Sequence, residues 1–231
     1  MRVNGVIVAA GKGKRMGGKV PKPLLPLCGR AVVLHALSRF AASQVRKLVL
    51  VTPEPDISKY QELVRSDSQL GDLEFVFQAG GPRRQDSVSH GLERLDPDCE
   101  VVIIHDGVRP FISPQLIDRC VEAAFLEGAV VVGVPIWNTV KVISVDRYIK
   151  ETPPRDSLWE IQTPQAFRTE IIREAFQKAV QGGAEATDDA VLVERLGRRV
   201  ALLEGQTTNI KITVPEDLVF AEALLRAGMV S

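Results

Sequence analysis

Short continuous apolar runs alternate along the chain with longer stretches in which apolar residues recur at helical spacing. The continuous runs lie at residues 6–10, 48–51, 73–77, 101–104 and 130–134 and are rich in β-branched side chains. A strand covered on both faces needs apolar residues at every position, whereas a strand with one wet face alternates. These runs therefore predict buried parallel strands. The intervening stretches 32–40, 87–95 and 114–125 carry the helical period. Pro114 stands where a first helical turn tolerates proline, with Ser113 ahead of it as the cap. Strand–helix–strand alternation predicts an α/β fold, a doubly wound and mostly parallel open sheet of Rossmann-like form.

The rhythm breaks between residues 138 and 162. There, 140–145 and 148–150 read as two short strands around Asp146-Arg147, followed by Pro153-Pro154, which predicts a projecting β-hairpin arm. Helical patterning returns at 169–180 and 188–196, and a strand is expected at 200–203. The final helix, 215–225, opens on a proline and early acids and stops near Gly228. With no repeat, low-complexity tract or linker, the expectation is a single domain over 1–231 with an arm at 137–160.

Composition adds a constraint. The chain is 45% hydrophobic and 25% charged, as in ordinary globular proteins. Lys plus Arg equals Asp plus Glu at 29 each, so no bulk field draws nucleic acid or a membrane surface, and any anion site must be a local cluster of cations. Cys28, Cys99 and Cys120 match neither a zinc spacing nor a redox pair, and read as free thiols of a reducing, cytoplasmic compartment. The first apolar run is too short for a signal-peptide core or a membrane span.

That local cluster stands directly after the first run, in Ala9-Ala10-Gly11-Lys12-Gly13-Lys14-Arg15-Met16-Gly17. Glycines let a backbone turn sharply and bring amide hydrogens close to a bound group, and Arg15 can fork onto two phosphate oxygens. The carboxyl end of a first strand is where open α/β sheets bind ligands. Met16 replaces the last glycine of a dinucleotide fingerprint, and Val20 after Gly18-Lys19 excludes a P-loop. Pro21-Lys22-Pro23 then holds a lysine on a stiffened segment, either a second phosphate contact or a surface turn.

Ala9-Ala10-Gly11-x-Gly13-x-Arg15-Met16 with Pro21-Lys22 resembles the signature of sugar-nucleotide pyrophosphorylase-like nucleotidyltransferases. Further blocks follow in order: Gly80-Gly81-x-x-Arg84-x-x-Ser87-Val88, His105-Asp106-x-x-Arg109-Pro110, Thr163-Pro164-Gln165, Thr187-Asp188 and Asn209-Ile210-Lys211. The set resembles the 2-C-methyl-D-erythritol 4-phosphate cytidylyltransferase family from residue 6 to about residue 221. The resemblance implies a nucleotidyltransferase that joins CTP to a small phosphorylated polyol, with magnesium as cofactor. It implies cytosine contacts at Ala9, Ala10, Gly80, Gly81 and Ser87, with Gly11 and Gly13 in the phosphate loop; Ser87 could equally be a helix cap. Arg15 and Lys22 would be catalytic, stabilising charge at the α-phosphorus. Asp106, at the end of the fourth strand, is a natural magnesium ligand beside the second substrate. The acceptor phosphate would be held by Thr139, Arg155 and Lys211, helped by Arg109, Thr163 and Thr187. In the family the arm crosses to a second subunit, which implies a homodimer. Gly107-Val108 and Asn138 depart mildly from the family's usual residues, and Arg84 is left without a role. The alternatives are a ribitol-5-phosphate cytidylyltransferase, against which Ala10, Lys14 and Trp159 speak, and a non-catalytic nucleotide sensor.

Overall fold

The computed structural model describes residues 1–11, 20–183 and 185–230. Its strands are β1 (Val3–Val8), β2 (Pro26–Leu27), β3 (Arg30–Ala31), β4 (Lys47–Thr52), β5 (Glu74–Ala79), β6 (Val101–Asp106), β7 (Ala129–Pro135), β8 (Val142–Ile143), β9 (Ile149–Glu151), β10 (Trp159–Arg168) and β11 (Ala201–Glu204). Its helices are α1 (Val32–Ala41), α2 (Ile57–Arg65), α3 (Arg84–Leu92), α4 (Pro114–Glu127), α5 (Thr169–Gly182), α6 (Ala190–Glu194) and α7 (Pro215–Arg226). The main sheet runs β11-β7-β10-β6-β1-β4-β5, parallel except for β10. This is the open, doubly wound sheet that the run pattern predicts.

Both faces of the sheet are covered, which explains the continuous apolar runs in β1, β4, β6 and β7. One core joins Ile7, Leu48, Leu50 and Ile103 to α1, α2 and α4 through Leu37, Phe40, Tyr60 and Ile117. The other joins Val6, Val49, Val51 and Ile104 to α3, α5 and α6 through Val88, Ile172, Phe176 and Val193. Ser113 caps α4 as expected, its hydroxyl accepting from the Leu116 amide at 3.3 Å. At the start of α7, Asp217 accepts from the Thr213 and Val214 amides at 2.7 and 2.9 Å.

Three elements depart from the sequence reading. β10, read only as the end of an irregular stretch, is a strand inside the sheet. Proline cannot donate to a ladder, and the pairing with β7 shifts register between Gln162 and Gln165, so Pro164 sits at an irregularity that hides the strand. α2 is missing from the sequence reading, although Ile57, Tyr60, Leu63 and Val64 recur at helical spacing; it fully buries only Tyr60. The β2–β3 hairpin is two residues a side, turned by Cys28 and Gly29 at φ 48 and 82. The arm matches expectation: β8 and β9 pair antiparallel, Arg147 takes the left-handed region at φ 67, and Trp137, Val145 and Tyr148 are largely exposed.

Candidate active site

The chain leaves β1 for β4 on one side of the sheet, and later fills the other side with β6. Between β1 and β6 lies the topological switch point, where the connections diverge and a crevice opens at the carboxyl ends. Val8 at the end of β1 is in register with Asp106 at the end of β6. The Ala9 amide donates to Val51 O at 2.7 Å and the Gly80 amide to Thr52 O at 2.8 Å, so the segments leaving β1 and β5 are both tied to β4.

A cavity of about 510 Å³ occupies this crevice, lined among others by Ala9, Ala10, Gly11, Lys22, Gly81, Ser87, Asp106 and Lys211. Gly80 has no room for a side chain: a Cβ there would lie 2.4 Å from Ala10 Cβ and 2.9 Å from Ser87 Oγ. Ser87 is inside α3 rather than at its cap. Its hydroxyl accepts from the Gly81 amide at 3.1 Å and donates to Arg83 O at 3.1 Å, bracing the turn after β5. Lys22, in the short helical turn Lys22–Leu24, donates from Nζ to Thr213 O at 2.9 Å. Among the described residues four cations (Lys22, Arg83, Arg84, Lys211) and the carboxylate of Asp106 line this cavity, with Arg83 paired to Asp86 and Glu185 and Arg84 to Asp189 and Asp106. Gly13 and Arg15 lie outside the described residues.

Asp106 is the hub of this crevice. It is buried, accepts from Arg84 Nε at 3.0 Å on Oδ1, and is paired with Lys211 Nζ at 2.6 Å on Oδ2. Burial alone disfavours the anion, but Arg84 and then Lys211 outweigh it and hold the carboxyl well below the usual carboxylate range. Behind Arg84 stands the buried Asp189, which accepts from Nη1 at 3.1 Å and Nη2 at 2.9 Å. Desolvation by burial raises the Asp189 carboxyl, and Arg84 opposes the rise. His105 is fully enclosed. Nε2 donates to Arg109 O at 3.0 Å, which leaves Nδ1 as the acceptor of the Thr163 hydroxyl at 3.1 Å. Burial pushes its pKa down to about 4. The Thr163 oxygen in turn accepts from the Asp106 amide at 3.1 Å, so Thr163 is buried and supports the Asp106 backbone.

The remaining residues named from the sequence divide into two groups. Arg109 lines an adjoining cavity of about 560 Å³ with Trp137, Asn138, Glu160 and Asn209, and Lys211 borders both cavities. Arg109 Nη1 donates to Asn209 O at 2.8 Å, while its buried Nε and the Asn209 Oδ1 have no hydrogen-bond partner among the described residues. Thr139, Arg155 and Thr187 are exposed and line neither cavity. Arg155 reaches only Trp137 O, at 3.4 Å, among its hydrogen bonds. The sequence reading missed Asp189 and Gln162, and quoted Asn209 in its block without giving it a role. Asp189 directly follows the Thr187-Asp188 block, but nothing in sequence says which of two adjacent aspartates turns inward.

Among the described residues no three His, Cys, Asp or Glu side chains converge as a metal cage. Magnesium commonly takes one or two carboxylates and completes its shell with phosphate oxygens and water. Asp106, on the cavity wall with its two oxygens bonded to Arg84 and Lys211, would be the protein carboxylate in such a shell.

The sheet, the switch-point crevice and its cations define an α/β nucleotidyltransferase. A family model described as 2-C-methyl-D-erythritol 4-phosphate cytidylyltransferase (IspD) matches residues 3–227. The chain is 42% identical over 226 residues to the protein of that name from Caldanaerobacter subterraneus subsp. tengcongensis, covering 98% of this chain and 100% of the relative. It is 44% identical over 230 residues to that of Geotalea uraniireducens, covering 98% of each. The crystal structure of 4-diphosphocytidyl-2C-methyl-D-erythritol synthase from Anaerococcus prevotii superposes with a TM-score of 0.87 at 33% identity, over 97% of this chain and 96% of that one. That of the Thermus thermophilus cytidylyltransferase gives 0.79 at 37% identity, over 98% and 100%. The chain belongs to the 2-C-methyl-D-erythritol 4-phosphate cytidylyltransferase family.

Proposed function

We propose that this chain transfers the cytidylyl group of CTP to 2-C-methyl-D-erythritol 4-phosphate, in the non-mevalonate route to isoprenoid precursors. The observation that carries the reading is the switch-point crevice, where Ala9–Gly11 backbone, Lys22, Ser87, Asp106 and Lys211 meet in about 510 Å³. A phosphate oxygen of the acceptor attacks the α-phosphorus in line and forms a new P–O bond. The bond from that phosphorus to the bridging oxygen breaks, and the electron pair leaves with pyrophosphate. An ionised phosphate needs no base, which agrees with His105 being enclosed with both ring nitrogens engaged. Catalysis is then positioning and charge stabilisation.

Lys22 and Arg15 carry the charge at the α-phosphorus. Ala9, Ala10, Gly11, Gly13, Gly80, Gly81 and Ser87 hold the nucleotide, with Gly80 packed too closely against Ala10 and Ser87 to carry a side chain. Asp106, Arg109 and Lys211 form the acceptor side, with Thr163 behind Asp106. Magnesium, held by Asp106, would neutralise triphosphate charge when bound. Thr139, Arg155 and Thr187 complete the phosphate grip. The first two reach it by arm exchange: residues 137–160 project from the single domain, expose apolar side chains, and would cross to a second copy to make a homodimer. A cytoplasmic location fits the three free cysteines.

Pyrophosphate release tests the reading. With CTP and magnesium, 2-C-methyl-D-erythritol 4-phosphate should give turnover and ribitol 5-phosphate little. Tight CTP binding without release on any polyol phosphate would make the chain a sensor instead.

A further inference from the structure

Arg84 belongs to the Gly80-Gly81-x-x-Arg84 block yet has no part in the transfer as described above, and the structure gives it a definite geometry. Its guanidinium is spread between two carboxylates from opposite sides of the site. The Nη atoms meet Asp189 at 3.1 and 2.9 Å, and Nε meets Asp106 at 3.0 Å. A planar fork held at two points by Asp189 fixes where its third contact, Nε, can point. Asp189 is itself held. Gln165 Oε1, from β10, accepts from the amides of Asp189 and Ala190, both at 3.1 Å, and Gln165 Nε2 donates to Asp188 Oδ2 at 2.8 Å. The free end of this chain of contacts is Lys211, paired with the other Asp106 oxygen at 2.6 Å and the most exposed of the four charged side chains.

The geometry points to Arg84 and Asp189 as a positioning pair for the acceptor side of the site. Asp189 locks Arg84, and Arg84 fixes the Asp106 carboxylate and through it the ammonium of Lys211. Four sequence blocks, Arg84, His105-Asp106, Gln165 and the Asp188-Asp189 pair, thereby serve one task. Neither Arg84 nor Asp189 touches the reacting atoms. The inference rests on reading Asp106 and Lys211 as acceptor contacts.

Asp189→Asn keeps the size of the side chain and removes the charge that locks Arg84. Arg84→Lys keeps a cation but cannot reach both carboxylates as a fork, and serves as the milder variant should Asp189→Asn fail to fold. In either variant kcat/KM for the acceptor should fall by about 10²-fold, since a displacement near 1 Å has that effect. KM for CTP should rise by less, because Asp106 would also hold the magnesium of the triphosphate while Ala9, Gly81 and Ser87 stay in place. A residue that only supports the fold would lower the active fraction, reducing kcat with both KM values unchanged. That result, or an unchanged acceptor kcat/KM, overturns the proposal. A crystal structure of Asp189→Asn gives a readout free of turnover. It should show the Asp106 carboxylate displaced, and an unmoved Asp106 still bonded to Arg84 overturns the proposal. Should the wild-type protein release no pyrophosphate, the activity reading fails, and the crystallographic comparison still decides the positioning.

Discussion

His105 provides a measurable consequence of burial. An imidazole in water titrates near 6.5, and enclosure beside Phe40, Arg109 and Thr163 pushes this one down to about 4. Between those values the unfolded chain binds a proton that the folded chain refuses, so stability rises with pH across the window and is lost as pH falls. The full difference is 2.5 units at about 1.4 kcal/mol each, or roughly 3 kcal/mol, of which about 2 kcal/mol is lost between pH 6 and pH 4.5. His35 is also depressed by burial and contributes in the same direction. Asp86 and Asp96 are depressed carboxylates with an ordinary value of 3.8, so their stabilisation is lost mainly below this window, whereas the loss at Glu174 begins inside it, near its ordinary value of 4.5. The perturbation that isolates His105 is His105→Gln, which cannot titrate. Urea unfolding of both proteins at pH 7, 6, 5 and 4.5, with the slope against denaturant checked for constancy, gives the difference directly. The wild-type curve should fall more steeply with acid than the variant by about 2 kcal/mol over pH 6 to 4.5. Parallel curves would refute the assignment of a neutral, buried imidazole.

Lys22→Ala should retain the wild-type melting temperature within a few degrees and lose about 10²–10³-fold in kcat, measured by pyrophosphate release. Gly80→Ala should force its Cβ against Ala10 and Ser87; calorimetric titration should then find CTP binding at least about tenfold weaker, with about 1–3 kcal/mol lost from stability. Mixing Arg155→Ala protein with Lys22→Ala protein should recover part of the wild-type turnover, because exchanged arms would assemble one intact crevice per mixed dimer. A stable, active monomer in sedimentation would exclude that exchange.

Much of the fold could be read from residue patterns because burial on both faces leaves a continuous apolar run, as in β1, β4, β6 and β7. β10 escaped because its buried positions include Gln162, Thr163 and Gln165, polar side chains whose partners come from elsewhere in the chain. The turns at Gly80-Gly81 and Pro21-Lys22-Pro23 were legible for a related reason: glycines and prolines mark backbone geometry locally. The contribution of Arg84 was not, since residues 84, 106, 189 and 211 meet only when four separate elements converge. Thr163 was named as a substrate contact, yet its hydroxyl is engaged with His105 and the Asp106 amide.

The pairing of Val8 with Asp106 has a bearing on how this protein can be altered. The segment leaving β1 and the Asp106 hub start from one hydrogen-bonded ladder, so the separation of their starting points is set by the strands and not by the segments that follow. Lengthening the chain after Gly11 or Gly107 would remodel each half while leaving that spacing intact. One residue inserted within β1 would instead turn its remaining side chains to the opposite face and carry the start of that segment out of step with the carboxylate.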